Sequence, residues 1–337
     1  PPLPLTSGDL ETLSRWAKEL RPERRDEIET LKTIGARLVT ALRTKNEILG
    51  FIVLGPPVDR LEYGASERSA LSVCAAQFAL MVENGRLTER VVEQEKLRRD
   101  LALAAEVQKR LLPEGPPDMT MAALAAVSLP ARSIGGDYFD FLDVGDGRIG
   151  IALADVSGKG VAAALIMSSV QASLRILSSD GRLSLPDLAT TMNRFLHRST
   201  GANKYATFFY AEVDPRSRQL RYVNAGHLPP YLLRPPSSLQ ELSTGGAAIG
   251  LFPEMAYREA ALELQSGDVL VAFTDGVTEA MNATEEEFGE DRLKALLQQI
   301  VHLPAKDISA KISDALKGWI EDAEQYDDLT FIVMKVN

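Results

Sequence analysis

The sequence predicts an α+β fold in which antiparallel sheets are covered by helices. From about residue 119 onward, short apolar runs with strand-like alternation follow one another and are separated by turn residues, as in hairpins. The helical patterns among them occur in pairs rather than one after each strand, which is typical of α+β proteins. The expected strands lie at 123–129, 137–144, 148–156, 206–214, 220–225, 231–234, 269–274 and 329–336. The expected helices lie at 161–177, 185–199, 291–302 and 305–321.

Composition limits the functions that this chain can have. Its 337 residues are enough for about two domains, and 45% hydrophobic with 25% charged residues is typical of a globular protein. The net charge of −10 argues against a nucleic-acid partner and against binding to anionic membranes. We expect no membrane-spanning segment in this chain and a cytoplasmic location. Cys74 lies in an apolar helical segment, so we expect a buried thiol.

The first 85 residues show a different pattern. Residues 8–31 read as polar helix interrupted at Pro22, and runs at 36–43 and 48–54 predict a hairpin, followed by a helix that Ser66 would cap. The stretch ARLVTALRTKNEILGFIVLGP, with SERSALSVCAAQFALMVENGRL after it, resembles the C-terminal half of a GAF domain. We therefore expect a GAF-like α/β fragment with a sensing or dimerising role at 1–85.

A long helix is expected from residue 66 to about residue 112, where prolines end it. Two interpretations of its exposed part are open: a solvated connecting helix, or a parallel coiled coil that makes a homodimer. The GAF-like context favours the coiled coil. The expected domains are the GAF-like region at 1–85, a coiled-coil linker at 86–118 and a third domain at 119–337. The heptad positions are Leu87, Val91, Gln94, Arg98, Leu101, Ala105, Gln108 and Leu112.

Four aspartates stand at the ends of apolar strand faces. Asp155 and Asp275 each follow such a face, Asp327 begins one, and Asp137 follows a Gly-Gly pair and shares its face with Phe139. Any one of them alone is more simply a turn or capping residue. Together they would repel one another, and a hard divalent cation such as Mg²⁺ or Mn²⁺ would remove that repulsion. The shared pattern in three strands therefore favours a metal site.

Five motifs in order carry a resemblance to a known family. They are GGDYFDF at 135–141, ADVSGKG at 154–160, NAGH at 224–227, TDGVTE at 274–279 and DDLTFIV at 327–333. From about residue 111 to the C-terminus the chain resembles the SpoIIE/RsbU branch of the metal-dependent (PPM, type 2C) protein serine/threonine phosphatases. The resemblance implies a four-layer αββα sandwich with two Mn²⁺ or Mg²⁺ ions at one end of the two sheets.

The resemblance also implies roles for single residues. Asp155 would bridge the two metals and the carbonyl of Val156 would bind one of them. Asp275 and Asp327 would hold the second metal, and Asp137 would reach the site directly or through water. Asp155 and Asp275 are therefore also candidate catalytic residues.

Asp328 is the neighbouring alternative to Asp327 as a ligand. Alternation favours Asp327, because it shares a face with Leu329 and Phe331. Arg132 lies five residues before Asp137, the spacing at which some family members place a phosphate-binding arginine, and an exposed loop cation is the equal alternative.

The leaving-group acid stays open. Ser157 stands where many eukaryotic members have a histidine, and a serine hydroxyl is too weak an acid to replace it. His227 is expected to be structural. Lys159 lies between two glycines, but its surroundings lack the residues of a nucleotide-binding Walker A loop.

The function implied by the resemblance is dephosphorylation of a phosphoserine or phosphothreonine protein in bacterial signalling, by attack of a metal-bridging water. An anti-sigma-factor antagonist with a STAS fold is the expected substrate. Two alternatives are a catalytically silent partner-binding module and a GAF-type small-molecule sensor as the main function. The intact set of acids argues against the silent module.

Overall fold

The computed structural model describes residues 4–20, 25–45, 47–59, 62–179, 181–201, 203–236, 238–323 and 325–337. The chain forms two compact units, Pro1–Arg99 and Asp100–Asn337. The domain boundaries predicted at residues 85 and 118 remain predictions.

The first unit contains a small antiparallel sheet with two helices. The hairpin expected here is present, since Leu38 pairs with Leu54 across two antiparallel strands. The small core of this unit is built on Leu10, Ala36 and Val39. The interruption expected at Pro22 lies outside the described residues. Its elements are β1 (Leu5–Thr6), α1 (Ser7–Leu20), α2 (Arg25–Thr33), β2 (Leu38–Arg43) and β3 (Ile48–Leu54).

The long helix α3 spans Ala65–Leu111. It begins before Ser66, so Ser66 is not its cap, and the Gly64 N–H donates to Glu67 Oε2 at 2.8 Å instead. Ala75 and Ala79 are its buried residues within the described side chains. Cys74 is exposed, so the expectation of a buried thiol was wrong. An apolar helical segment predicts burial only when another element covers it, and this helix is largely uncovered.

The second unit contains two antiparallel sheets, ordered β10-β9-β13-β14-β4 and β11-β8-β7-β6-β5, with β12 added antiparallel to β8. The short β11 pairs with β8 in parallel. The strands are β4 (Ala122–Leu129), β5 (Tyr138–Asp143), β6 (Ile149–Val156), β7 (Ala206–Asp214), β8 (Gln219–Ala225), β9 (Tyr231–Arg234), β10 (Ser238–Glu241), β11 (Gly245–Gly246), β12 (Ala260–Glu263), β13 (Val269–Phe273) and β14 (Leu329–Val336). The helices are α4 (Val161–Ser178), α5 (Leu185–Ser199), α6 (Asp275–Thr278), α7 (Glu290–Ile300) and α8 (Ala305–Ile320).

Three apolar layers hold this unit together. One lies between α4, α5 and the larger sheet, one between the two sheets, and one between the smaller sheet and α7 and α8. Side chains of one strand alternate between layers: Ile151 and Leu153 face the other sheet, whereas Ala152 and Ala154 face the helices. The predicted αββα sandwich is confirmed.

Helix α4 has the length and mean hydropathy of a membrane-spanning segment, although no such segment is expected from the sequence. Ala163, Met167 and Leu174 are buried in the layer between this helix and the larger sheet. Its apolar composition is therefore explained by packing within the sandwich.

Candidate metal centre

Asp155 is the penultimate residue of β6, on the face that points to the other sheet. Among the described residues, no donor hydrogen-bonds to its carboxylate. The pKa of Asp155 is raised to about 7, chiefly by burial and then by the nearby charges of Asp275, Asp327, Asp328 and Glu279, in that order. A half-buried carboxylate beside other acids is costly without a counter-charge.

Asp275 is the first residue of the short α6, and Thr274 separates it from the end of β13. The pairing of β13 with β14 ends at Phe273 and Phe331, and the chain turns away from the sheet after that pair. Burial raises the pKa of Asp275, and the neighbouring charge of Asp327 adds to the effect. Gly276 is required here, since a Cβ would overlap the Asp328 carbonyl.

Asp137 and Asp328 are buried, with exposures of 6% and 9%. Thr274 Oγ1 donates to Asp137 Oδ2 at 2.8 Å. Asp328 accepts from the backbone N–H of Ala131 at 2.8 Å and of Gly136 at 2.6 Å. We call Asp137 and Asp328 the buried pair, because the protein's own donors hold both carboxylates.

Two glycines allow the close approach of these segments. A Cβ on Gly135 would overlap the Asp328 carboxylate. A Cβ on Gly136 would lie 3.1 Å from the Val156 carbonyl oxygen, so that carbonyl faces the turn that leads to Asp137. The turn thus brings Asp137, the end of β6 and the start of β14 together.

Asp327 is half-buried, and both of its oxygens are engaged. Oδ1 accepts from the Asp328 N–H at 2.9 Å, and Oδ2 lies 2.8 Å from Lys159 Nζ. Asp155, Asp275 and Asp327 are partly exposed and lie close to one another, and we call them the open trio.

Arg132 is exposed and lines a small pocket with Asp155, Lys159, Asp327 and Asp328. The structure therefore places the predicted phosphate-binding candidate at the same pocket as the acids. The pocket's wall also includes Gly158 and Gly160, at the turn into α4.

Two residues near the acidic centre, Glu279 and Gln108, were not predicted from the sequence to lie there. Glu279 raises the pKa of Asp155, and its own pKa is raised by burial and then by Asp275. It stands four residues after Asp275 within the TDGVTE motif, a helical spacing that could have marked it. Gln108 on α3 occupies a predicted heptad position, but its side-chain amide binds the backbone of Gly135. Its Nε2 donates to the Gly135 carbonyl at 2.8 Å, and its Oε1 accepts from the Gly135 N–H at 3.1 Å.

His227 is structural, as expected. Its Nε2 lies 3.1 Å from the Phe273 carbonyl and its Nδ1 2.8 Å from Thr207 Oγ1. A carbonyl can only accept, so Nε2 carries the proton and Nδ1 accepts from Thr207. Burial lowers the pKa of His227 to about 4, so the ring is neutral at pH 7.

The donor set fits a hard divalent cation in its chemistry. All the acidic side chains offer oxygen ligands, and the Asp155 carboxylate lacks a donor from the described residues. Within the described part of the chain, however, no three His, Cys, Asp or Glu side chains already form a metal-holding group. Asp327 faces Lys159, and Asp328 accepts from backbone amides.

The αββα sandwich of this unit is the fold of PP2C phosphatase domains, and PP2C-type phosphatases generally depend on Mn²⁺ or Mg²⁺. The chain is similar to the SiaA-PP2C domain of Pseudomonas aeruginosa, with 22% identity and a TM-score of 0.64 over 73% of this chain and 98% of that one. It is also similar to the RsbU and RsbW domains of Rv1364c from Mycobacterium tuberculosis, with 29% identity and a TM-score of 0.55 over 64% and 60% of the two chains.

The family model of Stage II sporulation protein E (SpoIIE) matches residues 145–337. Protein IcfG of Synechocystis is 31% identical over 71% of this chain, and phosphoserine phosphatase RsbU of Bacillus subtilis is 31% identical over 72%. The chain belongs to the SpoIIE family, as its motifs predicted. It spans 42% of the length of IcfG and 71% of RsbU.

Proposed function

We propose that this chain hydrolyses the phosphate ester of phosphoserine or phosphothreonine in a bacterial signalling protein, with two Mn²⁺ or Mg²⁺ ions bound at the acidic centre. The observation that carries the proposal is the position of Asp155. Its carboxylate is half-buried beside four other acids, has no donor from the described residues, and lines a pocket that Arg132 and Lys159 also line. Such a site binds a phosphate dianion only if cations reverse its charge.

The metal ligands in this proposal are those that the resemblance implies. The open trio, the carbonyl of Val156 and Asp137 would hold the cations, with Asp328 as the alternative to Asp327. When bound, the cations would lower the pKa of coordinated water and neutralise phosphoryl oxygens.

This chain's own residues contribute position and charge. The buried pair fixes the turn at Gly135 and Gly136 against the end of β6, and so holds Asp155 in place. Arg132 supplies an exposed guanidinium at the pocket, suited to bidentate contact with a phosphoryl group. His227 lies at full burial with both ring nitrogens engaged, so it is not our candidate for the leaving-group acid.

The substrate class is supported by the relatives. RsbU and RsbP of Bacillus subtilis are named phosphoserine phosphatases, and the neighbouring structure from Mycobacterium tuberculosis joins RsbU and RsbW domains. We propose a phosphoserine protein of a partner-switching system, an anti-sigma-factor antagonist with a STAS fold, in the cytoplasm.

The N-terminal part is proposed to regulate the phosphatase, with a GAF-like region at 1–85, a linker at 86–118 and a parallel homodimer through α3. The support is the exposure of apolar seam residues, 49% at Leu87 and 57% at Val91. Leu112 packs instead against two core layers of the phosphatase unit, so it is unsuitable for testing the dimer. Leu87→Glu with Val91→Glu should give a monomer by sedimentation, and a monomeric parent protein would contradict the proposal.

The test of the activity is hydrolysis of a phosphoserine peptide by the purified chain with Mn²⁺, with Mg²⁺ and with EDTA. We expect turnover with either metal and none with EDTA. Asp155→Asn serves as the inactive control and Asp143→Asn, an exposed acid at the far end of β5, as the matched active one. Full activity in EDTA would refute metal dependence, and none under any condition would refute the activity.

A further inference from the structure

Lys159 lies in the turn between β6 and α4, and its side chain reaches across to the segment before β14. Its Nζ lies 2.8 Å from Asp327 Oδ2 and donates to the Tyr326 carbonyl at 2.7 Å. Burial and neighbouring acids raise the pKa of Asp275 and of Glu279, and the charge of Lys159 offsets a small part of both rises. Lys159 therefore already supplies positive charge to the place where a cation is needed.

Each oxygen of Asp327 already has one partner. Oδ2 faces Lys159 and Oδ1 accepts from the Asp328 N–H. A divalent cation that binds Oδ2 would lie close to the ammonium, and the two positive charges would repel each other. The ammonium is the replaceable one, since the side chains of Lys159 and Asp327 are 48% and 34% exposed and such pairs contribute little to stability.

The backbone fixes where Lys159 starts from. Gly158 and Gly160 have φ of +97° and +75°, a region that side-chain-bearing residues rarely adopt, so the turn is specified by its two glycines. The lysine stem is long and flexible, so its ammonium can leave Asp327 without the turn moving. Arg132 lines the same small pocket.

We propose that Lys159 is an internal counter-ion that binds Asp327 in the metal-free protein and competes with a divalent cation for that carboxylate. This inference rests on the proposed function, because it concerns the same acidic centre. The ammonium neutralises part of the repulsion within the open trio while the metal is absent. A cation that binds Asp327 displaces it from that carboxylate, at the pocket that Lys159 and Arg132 both line.

Direct binding of Mn²⁺ to the whole chain, measured by calorimetry, tests the competition without using activity. Lys159→Met keeps the length of the side chain and removes its charge, so Mn²⁺ should bind roughly three- to tenfold more tightly. Lys159→Arg keeps the charge and should bind as the parent does. Lys306→Met, an exposed lysine on α8, controls for the loss of one positive charge from the whole protein.

Thermal unfolding in EDTA tests the counter-ion role separately. Lys159→Met should lower the melting temperature by roughly 2–4 °C, and saturating Mn²⁺ should remove or reverse that difference. In an Asp327→Asn background the same change should have little effect on the metal-free protein, because the pair is already broken.

Two results would overturn the inference. Unchanged or weaker Mn²⁺ binding by Lys159→Met would show that the lysine does not compete with the metal. An unchanged melting temperature in EDTA would show that it is not a counter-ion. A parent chain that binds no Mn²⁺ would refute the metal part of the proposed function itself, whereas normal Mn²⁺ binding without hydrolysis would leave this inference standing.

Discussion

The two halves of the acidic centre are built differently, although both consist of aspartates from the same sequence motifs. The buried pair is held by protein donors: Thr274 for Asp137, and the amides of Ala131 and Gly136 for Asp328. The open trio lies closer to solvent, and burial and the neighbouring acids raise the pKa of Asp155 to about 7. We therefore expect Asp328 mainly to maintain the architecture, whereas the open trio, together with Asp137, holds the cations.

Removing a carboxylate from the open trio should have the largest effect on activity. Asp155→Asn is expected to lower kcat by about 10³-fold or more, since metal-supplied transition-state stabilisation amounts to several kcal/mol. Its metal-free melting temperature should stay equal or rise, because repulsion is relieved. Steady-state kinetics and thermal unfolding in EDTA measure both effects. Near-parental kcat in a folded variant would exclude Asp155 as a ligand.

The neighbours Asp327 and Asp328 give the sharpest test of the comparison. Asp328→Ala leaves two backbone amides without their acceptor and should cost about 4 kcal/mol of unfolding free energy in EDTA. Asp327→Ala removes an exposed pair and should cost about 1 kcal/mol or less, while Mn²⁺ affinity falls. Urea denaturation of both variants measures these two losses of unfolding free energy. Equal losses of stability would mean that the two halves are not distinct.

Strand alternation predicted much of this arrangement and also shows its limit. The strands and helices of the sandwich lie close to their predicted places, because their faces are regularly buried. Alternation groups Asp327 with Leu329 and Phe331, although β14 begins only at Leu329. The face of Leu329 and Phe331 packs against α7 and α8, whereas Asp155 continues the face between the sheets. The acids meet only because the chain turns after each strand ends.

Other features had no periodic signal. The strands β10, β11 and β12 and the helix α6 are two to four residues long, too short for a pattern. The hydrogen bond between Gln108 and Gly135 joins residues that are distant in sequence. A glutamine at a heptad position predicts a place in a coiled-coil seam rather than a contact with the backbone of another segment.

His227 links the two sheets near the buried pair and should make stability depend on pH. Its pKa is about 4 in the folded chain and about 6.5 when exposed, so the unfolded state binds the proton more readily. The stabilisation is therefore complete above pH 6.5 and is lost as pH falls towards 4, by roughly 3 kcal/mol.

His227→Gln should flatten that part of the stability profile relative to the parent, because the amide cannot gain a charge. Taking the difference between variant and parent by urea denaturation from pH 7 to 4 cancels the carboxylates common to both. His302→Gln, at an exposed position on the surface, is the matched control. A profile for His227→Gln that runs parallel to the parent's would contradict the assignment.

The smallest expected effect concerns the contact between α3 and the buried pair. Gln108 holds both backbone groups of Gly135, whose neighbour Gly136 donates to Asp328, so the end of the helix is two hydrogen bonds away from the acidic centre. Gln108→Leu removes both contacts and should cost about 1 kcal/mol of stability, the usual net value for neutral hydrogen bonds at a partly exposed site.

If the helix also positions the turn, the Mn²⁺ affinity and kcat of Gln108→Leu should both fall. A merely structural contact would change the melting temperature and leave the Mn²⁺ affinity in calorimetry unchanged. Lys109→Leu, exposed on the next position of the same helix, keeps the amide contact and should leave both quantities as in the parent. A Gln108→Leu variant with parental Mn²⁺ affinity would mean that regulation through α3 does not pass through Gly135.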